Sequence, residues 1–330
     1  MDKASNRASQ ANEFSEISFE PLSRCELCQS SSFRSIGSYD LKGIVLRYTL
    51  CEQCGFVQMN PVTSEASMNL FYQKEYWRNI SKGSLGRVQR KQIYRARQII
   101  NFTTERLKKM DSDVVRVLEI GSSFGNTLEM VGGVISSLGK KTVLYGIEPN
   151  EAIAKDGVSV YKQIKLIGRS YRDLDKIHEI YDFIILSHVL EHLRDPVGVL
   201  RLIREKLASA GFMYIEVPNF YGHQSYHIYH VSCFTPISLK SALANADLSG
   251  EVFAYGGNRQ FPKFIGVIAY KQQGKGSVGQ YSVAVAKGSG DPRQVIERRA
   301  AFERYLASKR KTNFLSRIFR KFGGKFLPKF

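Results

Sequence analysis

The chain has 330 residues, 43% of them hydrophobic, enough for one large core beside a smaller module, and no apolar run nears the ~20 residues that cross a bilayer. Its N-terminal stretch, MDKASNRASQANEFSEISFE, is polar and lacks a signal-peptide core, so a cytoplasmic address is expected. The net charge is +18, but residues 309–330 carry eight Lys or Arg and no acid, so nearly half of the excess sits in the last 22 residues and any anionic partner is sought there.

Residues 1–20 read as a flexible tail. Residues 21–60 hold four of the five cysteines in two CxxC pairs, Cys25 with Cys28 and Cys51 with Cys54. In a chain without export signals, two such knuckles predict a thiolate shell for one structural Zn2+ rather than disulfides. Such an ion lets a small module with short strands fold with little core of its own. Cys233 stands alone and reads as packed. Residues 61–110 are expected to be mainly helical, a connector or lid in which FYQKEYWRNI (71–80) clusters aromatics. Tyr76 is the candidate there for stacking on a sugar ring and bonding its hydroxyls.

From residue 111 to 272 the pattern alternates. Strands are predicted at Val114–Ile120, Thr142–Ile147, Ile164–Ile167, Tyr181–Leu186 and Gly211–Val217, with helices between them. One helix opens at Asp195-Pro196, an N-cap followed by proline at the first helical position, and is read as closing near Gly211. This alternation predicts an α/β, Rossmann-like sheet wound with helices on both faces. Glu251–Tyr255 and Phe264–Tyr270 follow one another without a helix, which predicts an antiparallel hairpin at the sheet edge. Residues 273–330 read as loop and a basic amphipathic tail. Within it Phe314, Leu315, Ile318, Phe319 and Phe322 recur at helical spacing among basic residues, and Gly323-Gly324 ends the pattern.

The first strand breaks into EIGSSFGN, where Gly121 and Gly125 let the backbone approach a ligand while Phe124, Leu128, Val131 and Ile135 give the next helix a buried face. A dinucleotide fingerprint would need glycine where Ser123 and Asn126 stand, which points to another adenosine cofactor. The second strand ends in YGIEPN, putting Glu148 where a carboxylate accepts from both ribose hydroxyls.

EIGSSFG, GIEPNEAIAKDG and YDFIILSHVLEHLRDP, in that order, resemble the first, second and fourth motifs of class I S-adenosylmethionine-dependent methyltransferases, over roughly 114–271. Behind a CxxC and CxxCG module, the chain is similar to the zinc-containing branch that includes sugar C-methyltransferases. The resemblance implies that Glu119, Gly121, Ser123 and Gly125 line the methionine and ribose portions, that Glu148 holds the ribose, and that Ser187 and His188 lie beside the methionine moiety. Ser123 replaces the middle glycine of ExGxGxG. It further places HVSCFT on the branch's YHEH-like segment, with His230 on the catalytic histidine. Tyr229 and His227 replace its glutamate and tyrosine, and Tyr76 falls in its lid region.

Methyl transfer to carbon or hydroxyl needs a proton removed, and histidine is tuned to that task. The candidates are His188 and His192 after the fourth strand, and His227 and His230 in the stretch beginning at His223 after the fifth. Metal binding by these histidines is disfavoured because no acid is interleaved among them. The expected activity is methylation of a small-molecule or lipid-linked sugar, with the tail touching an anionic membrane. The alternatives are an RNA methyltransferase or a non-catalytic cofactor-binding scaffold. Nucleic acid is the less favoured partner, because HVLEH replaces the Asn/Asp-Pro-Pro-aromatic turn of base-amine methylation and no basic stripe with stacking aromatics is seen.

Overall fold

The structure, a computed structural model, describes residues 17–41, 43–70, 85–272 and 290–322, the side chains of 85–88, 158 and 311–322 excepted. Tyr76 and its aromatic cluster lie outside the described residues, as do the side chains of the apolar tail positions.

A short strand β1 (Phe19–Glu20) leads into a hairpin of β2 (Phe33–Leu41) and β3 (Ile44–Cys51), followed by β4 (Val57–Met59) and β5 (Val62–Thr63), which returns to pair with β1. In β3 the period-2 alternation buries Leu46, Tyr48 and Leu50 on one face. Helix α1 (Glu65–Leu70) and the long α2 (Leu85–Lys109) follow. The strand–helix alternation then runs β6 (Val114–Ile120), α3 (Asn126–Ser137), β7 (Lys141–Ile147), α4 (Glu151–Val160), β8 (Ile164–Gly168), β9 (Tyr181–Ser187), α5 (Pro196–Glu205) and β10 (Leu207–Pro218). The chain closes with β11 (Ser232–Cys233), α6 (Pro236–Asn245), the hairpin β12 (Leu248–Gly257) and β13 (Pro262–Lys271), and α7 (Pro292–Phe322).

The main sheet has seven strands in the order β12-β13-β10-β9-β6-β7-β8. From β10 to β8 all neighbours are parallel, while β13 runs antiparallel to both β10 and β12, forming the expected hairpin at the edge. Central β9 is buried on both faces, which is why FIIL reads as a continuous apolar run. Ile184 and Leu186 join the core under α5 and α6, and Phe183 and Ile185 join the opposite core under α2 and α3. Burial of Leu128, Val131 and Ile135 makes the inner face of α3.

Asp195 caps α5 as expected, its carboxylate accepting from Gly198 N at 2.9 Å with Pro196 at the first turn. The helix nevertheless ends at Glu205, not near Gly211. Gly211 lies inside β10, between Leu207 and Phe212 where the register with β9 shifts, and a Cβ there would come 2.8 Å from the Asp182 carbonyl oxygen. It is a bulge glycine, needed for close approach of two strands.

The N-terminal hairpin is not a separate body. β11, from the segment after β10, completes a four-stranded sheet in the order β11-β4-β3-β2. Leu46, Tyr48 and Leu50 share one core with Phe220, Tyr221, Ile228 and Val295. Helix α7 begins well before residue 309 and packs through Val295 and Phe302. Its Arg299, 7% exposed, donates Nη1 to the Phe220 and His223 carbonyls, both at 2.8 Å, and lies over the rings of Phe220 and Tyr226. Among the described residues no helix is long and apolar enough to cross a membrane.

Candidate active site

The carboxyl ends of β6, β7 and β9 open into a cleft that Gln92 and Arg95 of α2 also line. The turn after β6 takes left-handed backbone at Gly121 (φ 76°), Ser123 (φ 49°) and Gly125 (φ 79°), with the glycines at two of the three positions that penalise a side chain. A Cβ on Gly121 would stand 2.7 Å from a Val189 methyl, and one on Gly125 2.5 Å from Ile164. Gly121 and Ser122 donate their N–H groups to the Ile147 carbonyl at 2.8 and 3.0 Å, locking this turn to the end of β7.

Glu148, 4% exposed, accepts from Ser123 N and Asn150 N, both at 2.9 Å. Burial pushes its carboxyl up to about 7, against the pull of those two donors. Glu119 is likewise pushed up by burial, to about 8, with the Glu148 charge adding to the shift. Glu119 Oε2 is buried with no hydrogen-bond partner. Gln92 Nε2 donates to Ser123 Oγ at 2.6 Å, and Asn126 Nδ2 donates to Gln92 Oε1 at 2.7 Å, so α2 is tied to the turn.

Ser187 and His188, at the end of β9, line the same cleft together with His192. His188 takes a left-handed φ of 56° and sits between two buried carboxylates, Nδ1 3.2 Å from Glu191 Oε1 and Nε2 2.8 Å from Glu216 Oε1. Glu216 also accepts from Tyr214 OH at 3.0 Å, from Tyr255 OH, and from Ser187 Oγ at 3.4 Å. His230 stands behind His192, with ring centroids 5.1 Å apart. His227 lies further along, stacked on Tyr229 at 3.9 Å and in contact with its hydroxyl through Nε2.

His192 Nδ1 lies 2.7 Å from the Tyr229 carbonyl oxygen, and His230 Nδ1 lies 3.0 Å from that of Ser225. A carbonyl only accepts, so both rings carry their proton on Nδ1. Burial pulls His192 below the ordinary histidine range, His230 well below it, and His223 and His227 to about 4, so all four rings are neutral near pH 7. The N-terminal hairpin holds this segment in place. Tyr48 OH donates toward the His227 and His230 carbonyls at 2.9 and 3.2 Å and accepts from His227 N at 2.9 Å, while Met59 N donates to the Val231 carbonyl.

Glu191, Glu216 and Tyr48 were missed by sequence reasoning. Glu216 had a signal, a lone charge in the apolar strand YIEVP. Glu191 sits in the quoted EHLRDP, but its convergence with His230 depends on the fold. At the other end of the hairpin, Cys25 and Cys51 are buried, and Cys28 and Cys54 partly so, all unpaired by disulfide. The four sulfurs lie within 4.8 Å of one another, with Cys25 to Cys54 at 3.7 Å and Cys28 to Cys51 at 3.5 Å.

Residues 88–251 match the family model described as a methyltransferase domain. No curated protein matches the chain. Among solved structures, the plantazolicin methyltransferase BamL, in complex with a triazolic desmethylPZN analog and SAH, is 14% identical with a TM-score of 0.50, over 62% of this chain and 94% of that one. The plantazolicin methyltransferase BpumL in the corresponding complex is 16% identical with a TM-score of 0.50, over 62% and 95%. A SAM-dependent methyltransferase from Archaeoglobus fulgidus is 19% identical with a TM-score of 0.42, over 54% and 94%. At these identities the likeness is one of fold. The family match marks residues 88–251 as a methyltransferase domain, and the sheet order agrees with the fold of the two plantazolicin methyltransferases.

Proposed function

We propose that the chain methylates an oxygen or an activated carbon of a sugar or glycan-pathway intermediate, using S-adenosylmethionine held on the Glu119–Glu148 wall of the cleft. The observation that carries this reading is that Glu119 and Glu148 line one cleft together with His188 and His192, with His230 packed behind His192. The cofactor's groups suit the first wall. Its ribose diol has donors for Glu148, and its amino group suits the orphaned Glu119 Oε2 beside the Gly121 turn. When bound, the cofactor supplies an electrophilic methyl on a sulfonium, and the acceptor's attack breaks the carbon–sulfur bond as the new bond forms. His230 is the proposed base, its Nε2 left unprotonated by the Nδ1 bond to Ser225; because His192 stands between it and the cleft, the acceptor would have to reach past His192 to deliver its proton. Ser187 and His188, which line the same cleft, would lie beside the methionine portion of the bound cofactor.

The cysteine cluster fits a structural zinc. Tetrahedral Zn–S bonds of ~2.3 Å place sulfurs ~3.8 Å apart, close to the 3.5 and 3.7 Å separations of the two cross-knuckle pairs. Its role is to brace the hairpin that carries Tyr48. The basic distal half of α7 is proposed to dock on an anionic leaflet, where basic residues contribute roughly 1 kcal/mol each. If full-length protein and a form ending at Ser308 sediment equally with anionic vesicles in low salt, that docking is excluded.

Methyl-labelled S-adenosylmethionine offered with a panel of nucleotide-linked sugars, lipid-linked sugars and RNA tests the acceptor class. Label in a sugar supports the reading; label in RNA alone overturns it.

A further inference from the structure

We propose that Glu191, His192 and His230 form a second metal site, distinct from the cysteine cluster, which takes a divalent first-row transition cation at the acceptor end of the cleft. One ligand atom from each residue lies within 4.8 Å of the others, and His192 Nε2 is 3.6 Å from Glu191 Oε1. Bonds of ~2.1 Å would hold such atoms roughly 3 to 3.5 Å apart, so side-chain rotation closes the set.

The surroundings are those of a ligand set rather than of a packed polar cluster. Both imidazoles commit Nδ1–H to a backbone carbonyl, His192 to Tyr229 and His230 to Ser225, which orients each ring and leaves Nε2 as the lone-pair nitrogen. Glu191 is 1% exposed, yet neither of its carboxylate oxygens receives a well-formed hydrogen bond. Its Oε1 has His188 Nδ1 at 3.2 Å, the outer brace a ligating carboxylate commonly has. Two unprotonated ring nitrogens and a buried carboxylate thus converge on one point, which is the donor set of a cation site. The expectation that no acid is interleaved among the histidines overlooks Glu191, which stands between His188 and His192 in the sequence, and the fold brings His230 from the segment after β10 to join them.

Two nitrogens and one carboxylate suit Zn2+, Mn2+ or Fe2+ and leave coordination positions open. Of the three, His192 lines the cleft, so a cation held here would stand at the cleft's edge. For its purpose the site rests on the methyl-transfer reading; for its existence it does not. A bound cation would hold an acceptor bearing a hydroxyl beside a second oxygen and acidify that hydroxyl, its proton leaving to solvent. His230 would then act as a ligand instead of as the base, and oxygen methylation would be favoured over carbon.

The test is Mn2+ titration of the zinc-containing full-length protein followed by electron paramagnetic resonance, since Mn2+ competes poorly for thiolates. One Mn2+ per chain is expected, with Glu191→Gln and His230→Gln each weakening it at least tenfold while zinc content and S-adenosylhomocysteine affinity stay at wild-type values. Those two readouts also report whether each variant is folded. No Mn2+ or additional Zn2+ taken up by the wild-type protein at millimolar concentration overturns the site, and so does unchanged binding in both variants. Cofactor binding does not enter this result, so the site and the methyl-transfer reading fail separately.

Discussion

On the proposed reading, the cofactor's side of the cleft comes from one contiguous stretch, Glu119 to Asn150, whereas the acceptor's side is the turn after β9, backed by the segment after β10 and by β3, with Tyr48 and His230 separated by 182 positions. The first wall is held by backbone bonds between adjacent parallel strands, and its shape follows from left-handed turn residues. The second is held by side chains and strand pairing from a hairpin whose far end is a thiolate cluster. On that reading, local backbone chemistry builds the cofactor's place and long-range assembly the acceptor's. The two walls should fail differently when perturbed.

Loss of the proposed zinc is the strongest way to separate them. Structural zinc contributes on the order of 10 kcal/mol in small modules, so chelation or Cys51→Ser should loosen the β11–β4 pairing and take turnover below detection. S-adenosylhomocysteine affinity, measured by calorimetry, is expected to change by no more than about tenfold, or 1.4 kcal/mol. Equal collapse of both would show that the walls are one unit.

His230→Asn comes next. It should slow turnover by about 10² to 10⁴ with cofactor affinity intact. A fully active variant would move the role to His188, His192 or His227.

On the other wall, Glu148→Ala should weaken S-adenosylhomocysteine by about 1.5 to 3 kcal/mol, the scale of a charge-assisted hydrogen bond, leaving zinc content unchanged. The same residue predicts a pH dependence. Its carboxyl, pushed up to about 7 in the folded protein, keeps a proton that the unfolded chain has already lost near its ordinary value. The stability it contributes is thus full below that ordinary value and is lost as pH rises through about 7, while the ionised form that ribose hydroxyls prefer becomes available. Cofactor affinity should rise with pH and level off above about 7 in the wild type, and Glu148→Gln should flatten the profile. A rise that persists in that variant assigns the titration to Glu119.

The smallest effect is expected for Tyr48→Phe, which removes the hydroxyl held by His227 N and aimed at the two histidine carbonyls. A stability loss of about 1 to 3 kcal/mol in denaturant unfolding, with lower turnover and unchanged cofactor affinity, would mark the hairpin as the acceptor wall's support.

What sequence revealed follows the same division. The β6 strand, the glycine turn, Glu148, the Asp195-Pro196 cap, the edge hairpin and the paired knuckles were legible because each is written in neighbouring residues, as periodicity, left-handed positions or ligand spacing. Gly211 was misread as a helix stop because a bulge glycine and a capping glycine look alike without the partner strand. Glu191 and Glu216 escaped for a different reason. Periodicity reports which face of an element is buried, not which atoms from other elements arrive there, and both carboxylates take their meaning from His188, His192 and His230. The hairpin's reach to the histidine segment was equally invisible, since nothing in 44–51 announces that Tyr48 bonds the backbone at His227.

A crystal structure with S-adenosylhomocysteine bound tests the central claim most directly. The account predicts the ribose hydroxyls on Glu148, the amino group toward Glu119, and the sulfur facing Ser187, His188 and His192. A ribose placed away from Glu148, or a sulfur turned from the histidines, would contradict it.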